Sequence, residues 1–456
     1  MTGIADLAPI ARRKEQRAWC WYDWANSGYV TTVATVLFAP YLIAVAENAA
    51  CGSDFEGKCT TNLQVGFLAL SPGSLAAYVV TAATIISALV LPIVGAAADR
   101  SSRKRSIMAG FAWVGSLAAM SMFFVTGDNW QLGAALFFVA NICLGSSLVV
   151  YDAIMVEISS PDERDRLSSR GWALGYLGGG LLLVVNLAMV TLHESLGISE
   201  GMAVRLSLLT AGLWWAGFTL IPYLGLRDRL PRGEVVPVEG GLVRSSFGQL
   251  FVTLRDLRNY PVTLTFLLAY LFYNDGIQTV IASASTFGEK ELGFETGVLI
   301  ATILMVQFVA FGGALLFGRI AQTYGARRVV LAGLGLWTLI VTVAYFMPEK
   351  QLALFLALGA GIGLVMGGTQ ALSRSFFSQL IPHGREAEYF SLYQAAERGT
   401  SWLGTLIFGV MHQLTDSYRP AILALMVFFL VGGFLLWKVD PERGIREAGN
   451  VPPAVV

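Results

Sequence analysis

The sequence predicts an all-α, polytopic membrane protein with twelve transmembrane helices in two pseudo-symmetric six-helix halves. Of its 456 residues, 55% are hydrophobic and only 14% are charged, whereas soluble proteins carry about 25% charged residues. The mean hydropathy is +0.62, and the apolar residues fall into runs of about 20, the length that crosses a bilayer core. Short motifs also recur between the first and second parts of the chain, which predicts a duplicated unit.

Twelve apolar runs are long enough to span a bilayer, and each is predicted to form one helix. Runs 4 and 10 are interrupted by polar residues. The predicted spans, numbered 1 to 12 in chain order, cover residues 19–45, 75–98, 106–126, 131–156, 169–191, 203–226, 260–285, 296–318, 329–347, 351–377, 389–412 and 420–438.

Basic residues cluster in alternate loops, which predicts the orientation of the spans. The loops after spans 2, 4, 6 and 8 hold most of the arginines, and the other loops hold mostly single positive charges. The positive-inside rule places the basic loops in the cytoplasm, so both termini are predicted to be cytoplasmic. The polar first 18 residues lead directly into span 1, and no cleavable signal peptide is expected.

The loop after span 1 contains two cysteines and falls on the outer side. Cys51 and Cys59 are predicted to form a disulfide there, since that compartment permits one. Two free thiols are the alternative.

The chain divides into four parts. A polar segment with apolar residues at helical spacing between positions 247 and 257 predicts an amphipathic helix on the inner membrane surface. That segment acts either as a tether or as a lever between the halves. The expected parts are a first half, 1–226, a cytoplasmic linker, 227–259, a second half, 260–438, and a disordered cytoplasmic tail, 439–456.

Motifs at matching places support a repeated six-span unit. Gly95 after span 2 and Gly318 after span 8 each precede a basic cluster, and Arg170-Gly171 near the start of span 5 matches Arg398-Gly399 in span 11. Paired halves with a site between them are the usual plan of a secondary transporter.

Two resemblances narrow the family. The stretch from Gly95 to Arg105 resembles the loop signature of the major facilitator superfamily, with Ser102 in place of its second glycine. The stretches "WYDWANSGYVTTV", "SSRGWALGYLGGG" and "AERGTSWLGTLIFG" resemble the branch of the autophagy-linked vacuolar amino-acid effluxer. The resemblance implies a secondary active transporter of a small polar metabolite, above all amino acids, working by alternating access. A bacterial inner (plasma) membrane is the expected location.

Polar side chains within spans are costly and indicate function. Asp275 lies near the middle of span 7, with Asn274 and Gln278 beside it, and is the main candidate for proton coupling or for binding a substrate ammonium group. Arg374 or Arg398 is the candidate for a substrate carboxylate. A structural aspartate is the alternative for Asp275. The predicted substrate-binding or proton-coupling residues are Asp275, Asn274, Gln278, Asn26, Gln370, Arg374 and Tyr273.

A second set of charged residues lies near the inner ends of the spans and predicts an inner gate. Asp23, a few residues into span 1 among tryptophans, is assigned to this gate; the alternative is an interfacial aspartate that caps its helix. For the loop after span 2 the resemblance implies a tie to span 11, with simple membrane anchoring as the alternative. The predicted gate residues are Asp23, Asp152, Glu157, Arg170, Glu397, Arg398, Asp99, Arg100 and Arg105.

Several classes of function are excluded. Formal net charge is zero, so nucleic acid is not an expected partner, and there is no glycine-rich phosphate loop. The three histidines form no metal set, and no nucleophile–base pair is evident, so we predict no enzyme, metal or cofactor. The expected partners are a small-molecule substrate, the lipid bilayer and, as a candidate coupling ion, the proton; a monomer is expected.

Two rival functions remain open. An exporter of hydrophobic drugs or lipids would rely on cavity aromatics such as Trp172, Tyr176, Tyr273 and Trp402. A non-transporting receptor or scaffold would need a large extra loop or domain for its partner.

Overall fold

Helices make up nearly all of the described structure. The computed structural model describes residues 9–52, 59–65, 68–231, 253, 255–399 and 401–456. Within these residues, ten helical segments are long and apolar enough to cross a membrane. Further helices lie at the places of predicted spans 7 and 11, Pro261–Thr286 for span 7 and Glu386–Gly399 with Ser401–Thr415 for span 11. Helices satisfy their backbone hydrogen bonds internally, as a lipid environment requires.

The first half contains spans 1 to 6. Span 1 comprises Pro9–Tyr29, a π-helical segment Val30–Leu37 and Phe38–Cys51. Spans 2 to 6 are Leu75–Asp99, Lys104–Ser121, Trp130–Ile158, Arg164–Thr191 and Glu200–Gly225.

The second half contains spans 7 to 12. Spans 7 to 10 are Pro261–Thr286, Thr296–Tyr324, Ala326–Tyr345 and Leu352–Gln379. Span 11 consists of Glu386–Gly399 and Ser401–Thr415, and span 12 consists of Tyr418–Ala424 and Met426–Lys438. A last helix, Pro441–Glu447, follows span 12.

The two halves meet closely at one end of the bundle, here called the loop end because it carries the 99–105 loop. Span 5 packs on spans 8 and 10, and the first helix of span 11 packs on spans 2 and 4. The second helix of span 11 packs instead on spans 7 and 12 of its own half. Contact between spans 2 and 11 is therefore concentrated at the loop end.

The repeated glycines explain how the halves approach so closely. A Cβ on Gly95 would lie 3.0 Å from Glu388 Cα at the start of span 11. A Cβ on Gly318, in span 8, would overlap the side chain of Ser169 in span 5. The matching motifs therefore lie at matching junctions, span 2 with span 11 and span 8 with span 5.

The first helix begins at least ten residues before the predicted start of span 1. Its polar first turns are held by tertiary contacts: Glu15 pairs with Arg229 at 2.7 Å, and Arg12 pairs with Glu163 at 3.0 Å. Asp23 therefore lies well inside a continuous helix. The alternative that it caps the start of its own helix is wrong.

The loop between spans 1 and 2 lies at the opposite end of the bundle. Cys51 and Cys59 form a disulfide with their Cα atoms 6.0 Å apart. A short antiparallel hairpin, β1 (Leu63–Val65) with β2 (Leu68–Leu70), follows it and was not foreseen from the sequence.

The C-terminal tail is ordered, contrary to expectation. Asn450 Nδ2 donates to the backbone oxygens of Gln379 and Ile381, at 2.8 Å each. The backbone N–H of Ala454 donates to Asp162 Oδ1 at 2.6 Å. Because Asp162 belongs to the first half and Gln379 to the second, the tail bridges both at the loop end. The predicted amphipathic helix of the linker lies largely outside the described residues.

Candidate functional site

A buried ion-pair network joins the two halves, with Arg374 at its centre. This span 10 residue is only 3% exposed. Its Nη2 lies 3.0 Å from Asp23 Oδ2 on span 1, and its Nη1 lies 3.4 Å from Asp152 Oδ1 on span 4. One guanidinium of the second half is therefore shared by two carboxylates of the first half.

Hydrogen bonds complete the surroundings of this network. Arg374 Nε donates to Ser168 Oγ at 2.9 Å, and Nη2 donates to the Ser168 carbonyl at 3.1 Å. Tyr151 donates its hydroxyl hydrogen to Asp23 Oδ2 at 2.8 Å, and Gln394 of span 11 donates to Asp152 Oδ2 at 2.9 Å. All three guanidinium nitrogens have acceptors, as a buried charge requires.

Aromatic rings surround the same guanidinium. The carbon at its centre lies 5.0 Å from the ring centre of Trp19 and 5.4 Å from those of Tyr151 and Trp172, within the range of cation–π attraction. Trp19 and Tyr151 stack at 4.1 Å. Trp19 is fully buried, so it packs inside the protein and not at the membrane interface.

A second cluster ties spans 2, 3, 4 and 11 at the loop end. Lys104 pairs with Asp99 at 3.0 Å and with Glu157 at 2.8 Å. Asp99 also accepts hydrogen bonds from the backbone N–H groups of Ala387 and Glu388, at 3.0 and 2.9 Å. Both N–H groups belong to the first turn of span 11, where a carboxylate is favoured.

A third contact joins spans 5 and 10. Arg164 donates to the Ser378 carbonyl at 2.8 Å and to Gln379 Oε1 at 3.1 Å. Ser375 donates to Asp165 Oδ1 at 2.6 Å. All three clusters lie between the halves near the loop end.

Some predicted gate residues lie elsewhere. Arg170 is exposed and, among the described residues, is in none of the three clusters. Arg105 pairs with Asp228 at 2.9 Å and donates to the Leu226 carbonyl at 3.0 Å. It therefore joins span 3 to the end of span 6, and the interpretation that it ties span 2 to span 11 is wrong. Arg100 is half-buried in the same loop.

Two further charged residues of span 11 lie beside the network. Glu397 and Arg398 are half-buried. Arg398 Nε lies 3.6 Å from the position that a Cβ on Gly145 would occupy, so its guanidinium reaches span 4 of the other half.

The predicted substrate-binding residues are divided between different places. Gln370 of span 10 accepts a hydrogen bond from the Tyr176 hydroxyl of span 5, across the halves. Asn26 donates to the Tyr22 carbonyl of its own helix at 2.7 Å and is 5% exposed. The expectation that Asn26 reaches a cavity is therefore not met. Gln278 is half-buried.

The polar residues of span 7 point into the second half. Tyr273 and Ser373 share a hydrogen bond of 2.6 Å, and Asn274 donates to the Glu397 carbonyl at 3.1 Å. Asp275 accepts one hydrogen bond from the Gly404 N–H at 3.0 Å. The residue is fully buried, and its Oδ1 has no hydrogen-bond partner among the described residues.

Sequence reasoning missed several residues of the site, among them Lys104, Tyr151, Arg164 and Ser168. Lys104 and Arg164 lie in basic runs that the positive-inside rule already explains, and Tyr151 directly precedes Asp152. The structure offers no group of three or more metal-ligating side chains within the described residues.

The chain is similar to known proteins over most of its length. The sequence profile of the family described as "Vacuole effluxer Atg22 like" matches residues 11–449. The "Uncharacterized MFS-type transporter YxiO" of Bacillus subtilis (strain 168) is 28% identical, with 94% of this chain and 95% of that protein covered. "Autophagy-related protein 22-1" of Penicillium rubens is 26% identical, with 83% and 77% covered.

Solved structures show the same fold. The proton:xylose symporter XylE superposes with a TM-score of 0.69 at 12% identity, covering 94% of this chain and 96% of the symporter. A bacterial homologue of the iron transporter ferroportin in its outward-facing state gives 0.64 at 14% identity, covering 94% and 98%. The predicted major facilitator fold is confirmed. The chain is an integral membrane transporter, not an enzyme, and it belongs to the Atg22-like vacuole effluxer family.

Proposed function

We propose that the protein is a secondary active transporter that moves amino acids by alternating access. The observation that carries this proposal is the Arg374–Asp23–Asp152 network buried between the halves. A buried ion pair adds little net stability compared with apolar packing. While it is intact, this network closes the loop end of the bundle. It is also a specific contact that must break when that end opens.

The contacts between the halves support an outward-facing conformation. The three clusters between the halves lie near the loop end, and the second helix of span 11 packs within its own half. We place the loop end and both termini in the cytoplasm of a bacterium, since most arginines lie there and the Cys51–Cys59 disulfide lies at the opposite end. Residues 1–226 and 260–438 would move as two bodies joined by the linker. Each chain contains both halves, so a monomer suffices.

The chemistry of the network favours a charged, polar substrate. A zwitterion needs a cation for its carboxylate and an anion for its ammonium group. The network contains both, Arg374 as the cation and Asp23 and Asp152 as the anions. The test is counterflow of radiolabelled amino acids in proteoliposomes. Saturable counterflow of amino acids is expected, and transport of lipophilic compounds alone would overturn the proposal.

Asp275 is proposed as the proton-coupling residue. Its carboxyl group is fully buried and, within the part of the chain that the structure describes, has one donor, the Gly404 N–H, so a bound proton would relieve an uncompensated charge. Asp275→Asn is expected to keep counterflow. Its uptake driven by a proton gradient should fall about tenfold or more, which corresponds to about 1.4 kcal/mol of coupling free energy.

The control for this variant is Asp128→Asn, which changes an exposed aspartate. Its gradient-driven uptake should match that of the unmodified protein. Undiminished accumulation by Asp275→Asn under the same gradient would remove Asp275 from coupling.

A further inference from the structure

The groups that surround the Arg374 guanidinium come almost entirely from the first half. Asp23 and Trp19 belong to span 1, Asp152 and Tyr151 to span 4, and Trp172 to span 5. We call these five residues the cation box. We propose that, when the halves separate, the cation box binds a guanidinium or primary amine of the transported molecule, an inference that rests on the proposed alternating access.

Three of the five residues of the cation box, Trp19, Tyr151 and Asp23, are held together by contacts that do not involve Arg374. The indole N–H of Trp19 donates to the Tyr151 carbonyl at 2.8 Å, and the two rings stack at 4.1 Å. The Tyr151 hydroxyl fixes Asp23 by a bond of 2.8 Å. These contacts lie within the first half. The three residues therefore stay together when the first half moves away from span 10.

The charge balance of the cation box requires a replacement cation. Among the described residues, Arg374 is the one cation in ion-pair contact with Asp23 or Asp152. Its departure leaves two neighbouring carboxylates without a cation in the cavity that opens, and their negative charge attracts a cation into it. A cation from the transported molecule restores the balance, and the two occupants exclude each other. Return of Arg374 would therefore displace the bound cation as the loop end closes.

The shape of the cation box favours a guanidinium over an ammonium group. Carboxylates meet the edge of the Arg374 guanidinium at 3.0 and 3.4 Å, and three rings lie 5.0 to 5.4 Å from its centre. A flat, delocalised cation uses both the edge hydrogen bonds and the ring contacts, whereas a compact ammonium does not. Amino acids with a guanidinium side chain are the expected preferred cargo.

The test is chemical rescue of the purified full-length Arg374→Ala variant with methylguanidinium, followed by thermal unfolding. The ion should raise the melting temperature of this variant by about 3 °C or more in a saturable way, because it binds the folded state alone. Methylammonium should act more weakly. The unmodified protein, whose box is filled, and the Asp23→Asn/Arg374→Ala double variant should respond less than the single variant. Equal shifts in all three proteins, or no shift in the single variant, would overturn the proposal.

A second measurement uses the unmodified protein, in case Arg374→Ala does not fold. Methylguanidinium should inhibit amino-acid counterflow at concentrations about tenfold lower than methylammonium, and equal potency would count against the box. Counterflow without either rescue or this preference would leave the transport proposal standing and remove the cation box. Rescue without any counterflow would leave the box and remove the transport proposal.

Discussion

Replacing Arg374 with alanine is expected to reduce counterflow by about a hundredfold or more and to lower the stability of the closed conformation. The variant leaves the carboxylates of Asp23 and Asp152 buried without their cation. Breaking a buried ion pair by removing one partner costs about 3–5 kcal/mol. Arg374→Lys should recover part of the stability but little of the transport, since lysine lacks the planar fork that contacts Asp23, Asp152 and Ser168 together.

Arg170→Ala is the matched control, because it removes the same kind of side chain from an exposed position two residues from Ser168. Its melting temperature and counterflow should stay close to those of the unmodified protein. Equal transport by Arg374→Ala and Arg170→Ala would show that the buried network has no part in the transport cycle.

Gly171→Ala is expected to damage the same network without changing any charge. A Cβ at this position would lie 3.0 Å from Arg374 Nη2 and 3.0 Å from Trp19 Cζ3, and closer still to the carboxylate of Asp23. All three neighbours are buried and have little room to move. Overpacking of this kind costs about 1–3 kcal/mol, so counterflow should fall about tenfold, measured alongside the melting temperature.

The control is Gly217→Ala in span 6, where a Cβ would have no atom within 4 Å. This helical substitution should be neutral or stabilising by about 0.5–1 kcal/mol. If Gly171→Ala and Gly217→Ala give the same counterflow and melting temperature, the close approach of span 5 to the Arg374–Asp23 pair is not needed for transport.

Hydropathy located the spans because most of them are long apolar runs, but it could not find where span 1 begins. The first turns of that helix are polar, and they are ordered by contacts such as Glu15 with Arg229 and Arg12 with Glu163. Those partners are distant in the chain. The predicted start of span 1 was about ten residues too late. Asp23 was therefore placed too close to the end of its helix.

Charge and position suggested an inner gate, but the face that each residue presents depends on helix rotation. Arg164, Ser168 and Gly171 follow one another at intervals of four and three residues and share a face of span 5, which meets span 10 and Asp23. Arg170, chosen from the sequence, lies off that face and is exposed. The same uncertainty applies to span 7, where Asp275 contacts span 11 of its own half.

The central claim is that the Arg374 network holds the loop end closed and breaks during transport. Pulsed dipolar EPR tests it most directly, with spin labels at Arg103→Cys and His383→Cys, two exposed positions at the loop end of opposite halves. Labelling is selective because the two free cysteines, Cys20 and Cys143, are buried. A pair at Arg103 and Arg166, both in the first half, serves as the reference.

We expect a short distance between positions 103 and 383 in the unmodified protein and a second, longer population in Arg374→Ala, with the reference pair unchanged. The Arg170→Ala variant should keep the short distance. An unchanged 103–383 distribution in Arg374→Ala would contradict the claim that this network holds the loop end closed.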